Sequence, residues 1–161
     1  MIQKLGKPAN CQTFVDYAEK FTNNVLGMFQ GSVTRVDIVF DRYIGKHSIK
    51  ASTRKKRVGK RTRPIRKIID QGDVPLPQSW EQFTALEENK ADLTTFLSNW
   101  VLSRGTKLSN DKEIVTGSGF CNSLGAKSSV HGLHPQLDCS HEEADTRMIL
   151  YTKDAINQGF H

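Results

Sequence analysis

The residues of this chain best equipped for chemistry are carboxylates. In "CSHEEADTRMILY", Cys139 to Tyr151, three acids (Glu142, Glu143 and Asp145) occupy four positions ahead of an apolar run. Helix capping accounts for part of this. Ser140 at an N-cap with Glu143 three residues on is the capping-box pattern, and acids in a first turn gain roughly 0.3 to 1 kcal/mol each from the helix dipole. Asp145 needs more, because at 100° per residue it shares a side with Met148, Ile149, Thr152 and Ile156, the face expected to meet a sheet. Glu142 lies three residues before it, so the two carboxylates would sit about 6 Å apart and repel by on the order of 3 kcal/mol. A hard divalent cation reverses that sign, and Mg²⁺ is commonly held by one or two carboxylates plus substrate phosphates. Asp41, at the end of the apolar stretch "VTRVDIVF" (Val33 to Phe40), is placed to supply the other half, since ligands gather beyond the C-terminal ends of strands in open α/β sheets.

A second constellation is cationic. Between Asp41 and Asp70 there is no acid, yet 12 of the 23 Lys and Arg residues lie there, from Arg42 to Lys67. The remaining 11 face 17 acids, so the formal net charge of +6 divides into an acidic body and one strongly basic segment. Dense Lys and Arg neutralise phosphates, and the segment has no aromatic residue beyond Tyr43 at its edge, which implies sequence-independent, salt-sensitive contact with DNA or RNA. Lys50, Arg54, Arg57, Lys60, Arg61 and Arg63 are the candidate contacts. The same run resembles a nuclear import signal, which together with the absence of an apolar membrane span or a leader pattern predicts an intracellular, nuclear protein. His131, His134, Cys139 and His141, with Cys121 upstream, form a weaker set whose spacings match no common zinc motif. A nucleophilic Cys139 paired with His141 is disfavoured, because residues two apart do not face each other at a helix start.

The elements that position these groups follow from periodicity. Phe14, Ala18, Phe21, Val25 and Met28 mark a first helix ended near Gly27 and Gly31. Val33–Phe40 is a strand covered on both faces; Ser48–Arg57 is a short basic helix followed by a basic loop. "DVPLPQSW" is extended, and Ser79 caps a short helix carrying Trp80 and Phe83. A longer helix spans about Asn89 to Ser103, a strand opens at Glu113 in "EIVTGSGF", and residues 122–138 read as loop. A last helix runs from Ser140 to about Gln158. This is one α/β domain over 1–161 with a basic helix-loop insertion at about 46–69, built on parallel strands joined by helical crossovers. Two strands cannot make a stable parallel sheet alone, so the expectation is either a domain incomplete in this chain or further strands in stretches that read otherwise.

"VFDRY" followed by a basic helix, and later "EEAD" opening another helix, resembles the PIN-like and flap endonuclease superfamily. "SIKASTR", "NKADLTTFLS" and "HEEADTRMIL" extend the likeness to animal proteins related to mobile elements that carry this kind of domain. The resemblance implies a three-layer α/β/α fold with a mainly parallel sheet and a metal-dependent phosphodiester hydrolase using Mg²⁺ or Mn²⁺. Carried over, Asp41 matches the family's strand-end Asp, while Glu143 and Asp145 match its Glu-x-Glu; helix geometry prefers Glu142 with Asp145. Lys50 and Arg57 have the seven-residue spacing of the family's phosphate-holding pair, at a longer offset from the Asp. An early strand Asp and a later Asp-x-Asp strand have no counterpart, which the resemblance explains by truncation. The expected function is therefore a nuclease-like domain, catalytically incomplete in this chain, with a non-catalytic nucleic-acid-binding or protein-interaction module of the same fold as the alternative and a zinc-stabilised module as a weaker third.

Overall fold

A computed structural model describes residues 10–43, 63–109, 111–117 and 125–160. The basic helix expected at 48–57, with Lys50, Arg54 and Arg57, lies outside these residues, as do Lys60 and Arg61.

The first helix, α1 (Phe14–Leu26), buries Phe14, Tyr17, Ala18, Phe21 and Val25 at helical spacing. Thr13 Oγ1 accepts from the Asp16 N–H at 3.2 Å and Asp16 Oδ2 accepts from the Thr13 N–H at 2.9 Å, a reciprocal capping box. The Thr13 and Gln12 backbone N–H groups, with the Thr13 side chain, hold the Asp16 carboxyl below its ordinary value. Strand β1 (Arg35–Val39) follows, then α2 (Trp80–Thr84), whose Ser79 cap accepts from the Gln82 N–H at 3.3 Å. Helix α3 (Glu87–Gly105) leads to β2 (Glu113–Gly117), β3 (Ala126–Ser128), β4 (Gly132–His134), a single 3-10 turn at Pro135–Leu137, and α4 (Ala144–Asn157).

The four strands lie in the order β1-β2-β3-β4. Only β1 and β2 are parallel, in the register Arg35↔Glu113 to Val39↔Gly117; β2–β3 and β3–β4 are antiparallel. The domain is thus mixed α/β, and the expectation of a mainly parallel sheet is corrected: among the described residues one pairing in three is parallel. The two antiparallel strands arise from residues that read as loop. Each is three residues long and neither alternates apolar with polar, so their pairing rests on tertiary contacts. Buried Ser128 donates to the buried Glu113 carboxylate, and its Oγ accepts from the Val130 and His131 N–H groups at 3.0 Å, closing the β3–β4 turn. Gly132, at φ +74°, supplies the left-handed residue this turn requires.

Side chains of successive strand residues point to opposite faces, so the contacts of β1 and β2 sort the helices. Val36, Ile38 and Ile114 join the core built by α1, α2 and α3 around Phe14, Phe21, Phe83, Leu93 and Leu97. Val39 and Val115 instead join Ala126, Leu137, Leu150 and Tyr151, under α4. Among the described residues no helix is long and apolar enough to cross a membrane.

Candidate functional site

Helix α4 runs antiparallel to β1. Its start meets the C-terminal end of β1 and its end meets Arg35. At the first of these junctions the Ala144 N–H donates to Asp41 Oδ1 at 3.0 Å, and the Arg42 N–H donates to the Glu142 carbonyl at 2.7 Å. The structure thereby brings Asp41 to the opening of the acidic helix, 103 residues away in sequence. It does so differently from the capping expectation. The helix begins at Ala144 with Glu143 as N-cap, and Glu143 makes no side-chain capping bond. The Ser140–Glu143 box does not form; Asp41, arriving from the strand, satisfies the first free N–H and lies against the positive end of the helix dipole.

The inward face of α4 is also corrected. Asp145, Met148, Ile149, Thr152 and Ile156 are exposed, whereas Arg147 and Tyr151 are buried, with Asp154 beside them against β1. The sheet surface beneath explains the reversal, because beside Val39 and Val115 it presents Arg35, Asp37 and a glycine. Arg35, its side chain 3% exposed, is held between Asp37 (2.8 Å) and Asp154 (2.9 Å), so a helix face carrying a carboxylate fits there. Burial pushes the Asp37 carboxyl above its ordinary value, with Arg35 opposing and Glu113 and Asp154 adding to the rise.

Arg147 is fully buried at the junction. Its Nη1 donates to the Phe40 carbonyl at 2.7 Å, fixing the residue just before Asp41, while Nε and Nη2 make no well-formed hydrogen bond. Burial lowers its pKa and raises that of Tyr151 to about 12. Both side chains crowd onto Gly117, the last residue of β2: a Cβ there would lie 1.5 Å from Tyr151 Oη and 2.9 Å from Arg147 Nη2. Arg42 Nη1 donates to the Cys139 carbonyl at 3.3 Å. Arg42, Arg147 and Gly117 are the residues sequence reasoning missed. Arg147 follows Asp145 on a helix whose apolar stripe seemed to define its inner side, so nothing local marks it as buried.

Of the basic candidates, Arg63 is described and exposed. The end of the basic segment is tied down. Arg66 pairs with Asp92 at 2.6 Å, and buried Asn89 receives the Lys67 N–H and Arg66 Nη1 on Oδ1 while its Nδ2 donates to the Ile65 and Phe83 carbonyls. Arg66 is therefore neutralised within the fold.

Among the described residues no three His, Cys, Asp or Glu side chains gather to hold a metal ion. The carboxylates at the head of α4 therefore do not form a metal cage by themselves. His131 and His141 are exposed, Cys139 is a free, half-buried thiol, and Cys121 lies outside the described residues. His134 is buried elsewhere, with Nε2 3.5 Å from Asp154, beside a cavity of about 570 Å³ lined by His131, Leu133, Asp154 and Gln158. Comparison with protein-family models, with curated proteins and with solved structures finds no match to this chain.

Proposed function

We propose that this chain is a nuclease-like domain that engages nucleic-acid phosphodiesters beyond the C-terminal end of β1. Asp41, Glu142, Glu143 and Asp145 are its acidic residues. The observation that carries the reading is the meeting of Asp41 with the opening of α4, at the end of the parallel β1–β2 pair. Helices against both faces of the sheet support the finer, three-layer PIN-like reading.

In this reading Arg42 and Arg63, with Lys50, Arg54, Arg57, Lys60 and Arg61, contact backbone phosphates by charge, with no preference for sequence. Asp41 is held in place by its bond from Ala144 and, through Phe40, by Arg147. The acids at the head of α4 and the substrate phosphates together complete the shell of Mg²⁺ or Mn²⁺, which when bound supplies an activated water and stabilises the leaving oxygen. The basic segment also supports a nuclear location.

A second reading, nucleic-acid binding without cleavage, is favoured by the engagement of Asp41 Oδ1 with a backbone N–H and by the absence of three converging donors among the described residues. The two separate on single-stranded and flapped DNA incubated with Mg²⁺ or Mn²⁺. Metal-dependent cleavage that disappears in Asp145→Asn supports the nuclease; binding without cleavage supports the second reading. Neither binding nor cleavage would refute both.

A further inference from the structure

We infer that Tyr43 is a stacking platform for an unpaired nucleobase, which makes single-stranded nucleic acid the substrate class of the site at the C-terminal end of β1. This rests on the nucleic-acid reading proposed above and adds to it a residue that meets a base rather than a phosphate.

The position of Tyr43 follows from how the chain leaves β1. The Arg42 N–H donates to the Glu142 carbonyl at 2.7 Å and Arg42 Nη1 to the Cys139 carbonyl at 3.3 Å, so Arg42 is turned toward the segment that opens α4. Tyr43 goes to the other layer: its ring lies beside α3, with Lys90 Nζ 5.5 Å from the ring centroid. Asp41 and Tyr43 are two residues apart, a Cα separation of at most about 7 Å. The ring is therefore a direct neighbour of the carboxylate proposed to work on the phosphodiester. It stands on the α3 side of the strand end, while Asp41 is bonded to α4.

The chain has three tyrosines. Tyr17 and Tyr151 are 1% and 2% exposed, and each sits in one of the two apolar clusters. Tyr43 is half-buried and belongs to neither. Core packing therefore does not account for it, and a ring that is only half-buried keeps surface for a planar ligand.

The same corner carries cationic chain. Asn89, the residue before Lys90, holds the Lys67 N–H and the Ile65 carbonyl, which brings the end of the basic segment beside the start of α3. An aromatic ring next to Lys and Arg is the combination by which proteins take hold of single strands without reading sequence: the ring stacks on a base and the cations follow the backbone. A duplex offers no such face, because its bases are stacked on one another and show only their edges in the grooves. Stacking on Tyr43 thus selects unpaired nucleotides, which phosphate contacts alone do not.

The test is the affinity of the full chain, with divalent metal chelated so that nothing is cleaved, for three ligands of one length: a single strand, the same strand with every base removed, and the matching duplex. Tyr43→Leu removes the ring and should weaken the intact single strand roughly 5- to 150-fold while leaving the abasic strand and the duplex unchanged; Tyr43→Phe should stay within about twofold of wild type. In the wild type, a single strand carrying iodouracil should cross-link to Tyr43 on irradiation, a readout that needs no variant. The inference is overturned, with phosphate contact left standing, if Tyr43→Leu binds the single strand as wild type does, if it loses the abasic strand equally, or if the cross-links map only elsewhere. Binding of none of the three ligands overturns it together with the nucleic-acid reading.

Discussion

Gly117→Ala puts a methyl group where none fits. Its carbon would lie 1.5 Å from Tyr151 Oη, 2.5 Å from Tyr151 Cζ and 2.9 Å from Arg147 Nη2. Tyr151 is 2% exposed and Arg147 0%, so neither can swing into solvent without dragging α4 off the sheet. Overpacking of a filled interior costs about 1–3 kcal/mol. Moving Arg147 off the Phe40 carbonyl forfeits a charged hydrogen bond of roughly 1.5–3 kcal/mol, so the sum reaches about 2.5–6 kcal/mol. For a chain of this size about 3 kcal/mol lowers Tm by roughly 6–12 °C. Urea unfolding of the wild type, Gly117→Ala, Tyr151→Leu and the double variant measures the pair directly. Gly117→Ala should cost at least about 1 kcal/mol less in the Tyr151→Leu background, where the ring is gone. A Gly117→Ala chain within about 0.5 kcal/mol of wild type would refute the packing of α4 on β2 described above.

That glycine illustrates how the sequence and the fold relate. Helices α1, α2 and α3 and strands β1 and β2 were legible because each carries apolar residues at its own period, and Ser79 marked its cap. Strands β3 and β4 were not, since "AKS" and "GLH" hold no pattern and owe their pairing to Ser128, Glu113 and a left-handed Gly132. The start of α4 was placed four residues early because Ser140 and Glu143 satisfy a local rule that a distant aspartate overrides. Its inward face was misread because apolarity normally points inward, and here the sheet sets Arg35, Asp37 and Gly117 beside Val39 and Val115. The meeting of Asp41 with the acidic helix was legible, from the strand-end position and the resemblance; Arg147 beneath it was not.

The raised Asp37 carboxyl works against the folded state as it ionises, so its contribution is favourable at low pH and is lost as pH rises from about 4 through its raised folded value. Asp37→Asn removes that titration, and its stability relative to wild type should rise over this window in chemical denaturation; a constant difference would contradict the burial of Asp37. Asn89→Ala leaves the Ile65 and Phe83 carbonyls and the Lys67 N–H without their partner. It should cost about 1–3 kcal/mol and speed hydrogen exchange at Ile65–Lys67, whereas unchanged exchange there would mean that Asn89 does not anchor the basic segment.

Asp41 offers the most direct test of the proposed function, because Asp41→Asn keeps an Oδ1 to accept the Ala144 N–H and removes only the charge. The measurement is the affinity of a single-stranded oligonucleotide at fixed ionic strength, with and without Mg²⁺, in wild type and in Asp41→Asn. The account predicts that Mg²⁺ tightens binding to the wild type, and that the gain is lost in Asp41→Asn while Mg²⁺-free binding is retained. An equal Mg²⁺ effect in both chains, or none in the wild type, would contradict it.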